Sequence, residues 1–242
     1  ESKEIYYKEL KKMILVTVFY MGKNSCVTRF SNVSEEKIVE KSFTEIFNYN
    51  PEFLVITDET SVPKYVAADL LSQAEHGIDS QVILLTTNEQ TLNETIIEIN
   101  AQLEVLPRKE LAAKALENSR GILLNSIEEC VTFSNIYAPE HLIFACETAE
   151  NYIGKIINAG SVFLGNYSCE SAGDYASGTN HTLPTNGYSK SYSGVNLDSF
   201  LKAMTFQKIS NEGIQNIGKA IETMAEAEGL QAHKNAVSLR LK

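Results

Sequence analysis

"FLVITDETSVPKYVAADLLSQAEHGIDSQVILLTT", residues 53–87, passes from an apolar run to an amphipathic stretch and back to an apolar run. "FLVIT" (53–57) and "QVILLTT" (81–87) are short, continuous and rich in aliphatic and β-branched residues. That is how strands buried on both faces read. Between them, "PKYVAADLLSQAEH" (63–76) opens with Pro63 at a first helical position and repeats apolar residues at 66, 67, 70, 71 and 74. A strand, a helix of that length and a second strand make a crossover unit, whose strands lie parallel and whose connection is right-handed.

Working outward, the alternation persists. Helical patterns fill 89–105 and 108–119, followed by "GILL" (121–124), a helix near 126–136, "LIFA" (142–145), a helix near 148–158 and "SVFLG" (161–165). Upstream, "EEKIVEKSFTEIF" has helical spacing at Ile38, Val39, Phe43 and Ile46. "MILVTVFYM" (13–21) is too short to span a bilayer and reads as a buried strand. The expected fold is α/β, a mostly parallel Rossmann-like sheet with helices on both faces, plus a helical C-terminal tail. Residues 1–165 are expected to form the α/β body, with 1–34 of unclear origin, and 166–242 a site loop and helical dimerisation tail. In that second part a helix is expected near 196–204. An amphipathic helix carrying Ile214, Ile217, Ile221 and Met224 follows, then a break at Gly229 and a short last helix.

The bulk properties exclude more than they assign. A formal net charge of −10 over 242 residues disfavours an electrostatic nucleic-acid footprint. No apolar run reaches membrane length, so no membrane partner is expected. The cysteines Cys26, Cys130, Cys146 and Cys169 form no CxxC pair, and scattered thiols in an acidic chain point to a reducing, cytoplasmic setting.

The candidate chemistry gathers around His76, His141, His181 and His233. Three of them sit at predicted strand or helix ends, where α/β enzymes build sites. In "SQAEHG", Gln73 and His76 are three apart and share a helix face, so an amide oxygen and an imidazole can share one cation; the segment also reads as a polar helix end stopped by Gly77. In "APEHL", Glu140 beside His141 offers two proton acceptors, or simply an exposed turn after Pro139. "SAGDYASGTNHTLPTNGYS" (171–189) holds Asp174 and His181 and one large aliphatic residue, Leu183, as the polar wall of a site would. Glu228 and His233 lie five apart across Gly229. A donor set of Gln, Asp and two His suits Zn²⁺ or another borderline divalent metal.

"DLLSQAEHGIDSQVILLT", "YAPEHL", "NAGSVFLGNYSCESAGDYASGTNHTLPT", "YSGVNLDSFLK" and "MAEAEGLQAHKNAVSLRL" together resemble the histidinol dehydrogenase family, from about residue 50 to the C-terminus. The resemblance implies oxidation of L-histidinol to L-histidine through an aldehyde, two NAD molecules accepting the hydrides. It implies one Zn²⁺ per subunit held by Gln73, His76, Asp174 and His233. Substrate binding would involve the metal ligands with His141 and Glu228. Glu140 and His141 would be the acid–base pair, one activating the water that attacks the aldehyde, and His181 would lie in the site loop. It also implies a homodimer whose tail delivers Glu228 and His233 to the partner's site. Two departures are visible. The family's N-terminal portion, which supplies much of its NAD site, has no counterpart here, and Pro51 stands where the family has a substrate-contacting serine. Two other readings therefore stand beside the dehydrogenase: a truncated, non-catalytic, metal-binding dimeric relative without the NAD site, and a metal-dependent hydrolase using Glu140.

Overall fold

The computed structural model describes residues 53–242 together with the backbone of strand Thr17–Tyr20. The helix expected at 35–46, the remainder of residues 1–34 and Pro51 lie outside the described residues.

Among the described residues six strands form one sheet, in the order β1-β4-β3-β2-β5-β6. The strands are β1 (Thr17–Tyr20), β2 (Phe53–Thr57), β3 (Val82–Thr86), β4 (Arg120–Leu123), β5 (His141–Phe144) and β6 (Ser161–Leu164). Neighbours from β4 through β3, β2 and β5 to β6 pair parallel, whereas β1 pairs antiparallel with β4. The mostly parallel sheet is thus as expected, and the apolar run at 13–21 contributes a strand on one edge.

Helices cover both faces because the side chains of each strand alternate. Phe53, Val55, Val82, Leu84 and Ile143 pack beneath α1 (Pro63–Ala74), α2 (Glu89–Leu103) and α3 (Lys109–Glu117). Leu54, Ile56, Ile83, Leu85, Leu142 and Phe144 pack on the other face, with α4 (Ile127–Tyr137). Side-chain caps start the helices where the sequence supplies them: Asn88 accepts from Thr91 N–H and Ser126 from Glu129 N–H. α4 stops at Ala138, which adopts the left-handed conformation at φ 57°.

Three local expectations change. The helix near 148–158 is a 3₁₀ stretch, Ala149–Lys155, too short in apolar periodicity to propagate as α. The helix near 196–204 shrinks to a 3₁₀ turn at Leu197–Phe200. Conversely, the polar stretch is not all loop: it contains α5 (Glu170–Tyr175), seated on β6. Gly173 permits that seat, since a Cβ there would lie 2.6 Å from Phe163 Cε1.

The chain divides into two compact units, one ending at Ser199 and one spanning Phe200–Lys242. In the second, α6 (Asn211–Ala227) is capped by Ser210 and meets α7 (Gln231–Ser238) through Gly229 at φ +72°. Leu241 packs over Gly218, and Lys234 pairs with Glu226 at 2.9 Å. The apolar stripe of α6 is only half covered: Ile217 and Met224 remain exposed, as do Phe200, Leu201, Met204 and Phe206 ahead of it.

Candidate active site

Residue placement on the sheet decides where the site sits. His141 is the first residue of β5, in register with Phe53 and Ser161, the first residues of β2 and β6. α1 runs back antiparallel to the strands, so Gln73, in its last turn, and His76, just beyond it, return to the same amino-terminal edge. α/β enzymes commonly bind ligands beyond the carboxyl ends of their strands. His141 stands at a strand start and His76 just past a helix end, both at the opposite edge.

A cavity of about 370 Å³ opens there, lined by Gln73, His76, Gly77, Asp79, Ser80, Glu140, His141, Glu170, Asp174 and His181. Six of the residues singled out in the sequence are thus brought together from α1, the α4–β5 junction and the polar stretch. Gln73 and His141 are buried, Glu140 and Asp174 half-buried, and His76 and His181 exposed. Glu228 and His233 belong to the second unit: Glu228 follows α6, His233 sits in α7, and both are exposed. The polar stretch is held in place by its own hydrogen bonds, among them Ser189 Oγ donating to Ala138 C=O at 2.9 Å and Val195 N–H donating to Thr182 C=O at 2.9 Å.

Electrostatics at the cavity follow from burial. His141 lies between the rings of Phe53 and Phe163, each with its centroid 6.2 Å away. Burial pushes its imidazole down to about 4, reinforced by His76 and His181 and opposed by Asp174. It is therefore a neutral base at pH 7. Glu170 was not singled out in the sequence, because it stood in a stretch read as loop. It is nonetheless 3% exposed, with Oε1 3.4 Å from His141 Nε2. Burial, with Asp174, Glu140 and Asp69 nearby, pushes its carboxyl up to about 8, against a hydrogen bond from Ser72. Asp69, one turn before Gln73, is raised to about 7 by burial.

Donor atoms of His141, Glu170 and Asp174 lie within 4.8 Å of one another, close enough to surround one metal ion. Both His141 nitrogens and Glu170 Oε2 are buried without a hydrogen-bond partner. Buried polar atoms left so cost about 1–3 kcal/mol each, so this arrangement is one that a bound group would relieve. An amide oxygen (Gln73), an imidazole (His76) and a carboxylate (Asp174) around one cavity are hard and borderline donors, a chemistry that fits Zn²⁺.

A family model described as histidinol dehydrogenase matches residues 38–241. The chain belongs to the histidinol dehydrogenase family. The match begins earlier than the motifs alone suggest. The chain is 58% identical over 190 residues to histidinol dehydrogenase of Bacteroides thetaiotaomicron, covering 78% of this chain and 44% of that protein. It is 57% identical over 192 residues to the chloroplastic histidinol dehydrogenase of Arabidopsis thaliana, covering 79% and 41%. Against the crystal structure of histidinol dehydrogenase from Elizabethkingia anophelis it shows 68% identity and a TM-score of 0.75, over 79% of this chain and 44% of that one. The chain thus spans less than half the length of these relatives.

Proposed function

We propose that this chain carries the metal- and substrate-holding part of a histidinol dehydrogenase that oxidises L-histidinol to L-histidine. The supporting observation is the single cavity gathering Gln73, His76, Glu140, His141 and Asp174. Gln73, His76 and Asp174 would hold Zn²⁺, with His233 completing the set from a partner subunit and Glu228 reaching the substrate alongside it. Held by these residues, the metal would supply Lewis-acid binding and orientation of the substrate, with no redox chemistry of its own. His141, neutral and held between two aromatic rings, accepts the hydroxyl proton of the substrate. Glu140, adjacent in sequence and half-buried, activates the water consumed in the second oxidation. In this reading residues 166–199 wall the site and residues 200–242 form the dimerisation tail, whose exposed apolar residues suit burial against a second copy. The free thiols Cys130, Cys146 and Cys169 suit a reducing, cytoplasmic setting.

NAD is a different matter. The turn between β2 and α1 reads "DETSVP" and has no glycine to admit a pyrophosphate. That turn therefore offers no glycine cradle for a dinucleotide. This favours, as second reading, a metal- and histidinol-binding dimer without turnover.

Incubating the pure chain with Zn²⁺, L-histidinol and NAD while following NADH absorbance separates the two. NADH formation that disappears in His141→Asn supports the dehydrogenase. Zinc and histidinol binding without NADH supports the second reading. Absence of both zinc and histidinol binding overturns both.

A further inference from the structure

We infer that Glu170 is a positioning residue for His141: from α5 its carboxyl stands against the imidazole Nε2 and sets which ring nitrogen carries the proton. This rests on the reading of His141 as the site's base, and it gives a role to a residue that the reading leaves idle.

Phe53 and Phe163 hold the plane of the imidazole, at interplanar angles of 41° and 27°. Apolar rings fix a plane but cannot choose a tautomer; that choice falls to whichever polar group meets a ring nitrogen. Glu170 Oε1, 3.4 Å from Nε2, is such a group. Neither nitrogen makes a hydrogen bond within the protein, so no backbone carbonyl or hydroxyl competes for the assignment. The separation is slightly longer than a good N–H···O bond, and a small rotation of the ring or carboxyl closes it.

The fold arranges this contact deliberately. Glu170 and Asp174 are four residues apart on α5 and so share one face of the helix. Gly173 lets that helix rest on Phe163, the ring stacked on His141. One helix–strand contact therefore seats both the stacking ring and the carboxyl against the imidazole. A carboxyl group can fix an imidazole tautomer in either protonation state, accepting from a ring N–H when ionised or donating its own proton to a bare ring nitrogen when neutral.

The competing role for Glu170 is direct metal ligation with His141 and Asp174, whose donor atoms are close enough. The two roles separate in one experiment on the full chain labelled with ¹⁵N-histidine, in the absence of histidinol and NAD. Four histidines keep the spectrum simple, and the His141→Asn spectrum assigns the signals of His141. At pH 7 the wild-type chain should show two widely separated imidazole ¹⁵N shifts for His141, as a single tautomer does. Glu170→Met, similar in length but apolar, should draw the two shifts together, and Glu170→Asp should partly restore their separation. Zinc affinity, measured by calorimetry, should change less than threefold in both variants. Unchanged His141 shifts in Glu170→Met would overturn the proposal. So would a loss of more than tenfold in zinc affinity, which would make Glu170 a ligand. Failure to bind histidinol would sink the proposed function and leave these shifts as predicted.

Discussion

The two edges of this sheet differ in how completely their buried polar groups are paired. At the carboxyl ends of β2, β5 and β6, loops are tied to one another. Ser61 Oγ donates to Ala145 C=O at 2.6 Å, Glu147 N–H to Thr60 Oγ1 at 3.0 Å, and Asn166 bridges Thr60 C=O and Val62 N–H. At the amino ends, buried nitrogens and a carboxyl oxygen go without partners around a cavity. The carboxyl edge joins loop to loop, whereas the amino edge ties Tyr137 to Gln81 and Gln81 to Asn118 but leaves His141 and Glu170 with open polar atoms beside the cavity. The difference teaches where to look for a ligand in this sheet: at the edge where buried polar atoms lack partners, which here is not the carboxyl edge that α/β folds commonly use.

That contrast can be broken from either side. The largest effect is expected from Asp174→Ala at the amino edge. Zinc affinity should fall at least about a hundredfold, roughly 3 kcal/mol, while the urea midpoint in EDTA stays near wild type. Ser61→Ala at the carboxyl edge should do the reverse. It strands the Ala145 carbonyl and the Asp58 N–H that Ser61 accepts, costing about 2 kcal/mol in urea unfolding with zinc affinity unchanged.

A pH series sharpens the comparison without mutation. Glu170 and Asp69 have raised folded pKa values, so each keeps a proton that the unfolded chain has already released. His141, depressed to about 4, is neutral in the folded state throughout. Between pH 6.5 and 8 the folded state thus binds more protons than the unfolded one, and stability falls as pH rises. The loss is on the order of 1–2 kcal/mol, measurable by unfolding in EDTA. Glu170→Met should flatten the slope above pH 7. The smallest effect, about 1 kcal/mol or less, is expected from Asn166→Ala, whose two bonds lie in a half-buried loop.

Much of this was legible in residues. β2 and β3 are continuous apolar runs and came through with every position buried. Pro63 marked the start of α1, and the spacing of Gln73 and His76 placed both near its end. α5 was not legible: six residues with Ser, Ala and Gly carry no apolar period, and its helicity comes from packing on Phe163. Glu170 was hidden with it. The 3₁₀ stretch at Ala149–Lys155 had helical composition but too little apolar face to extend. Which edge bears the cavity follows from the direction in which α1 returns, and composition does not encode direction.

That direction has one more consequence. Each returning helix brings its carboxyl terminus to the amino edge, and the aligned peptide dipoles there sum to about half a negative elementary charge. The cavity therefore lies in a field that attracts cations, whether a divalent ion or a protonated amine, before any side chain is counted. Phosphates would be drawn to the far side, where the helices begin.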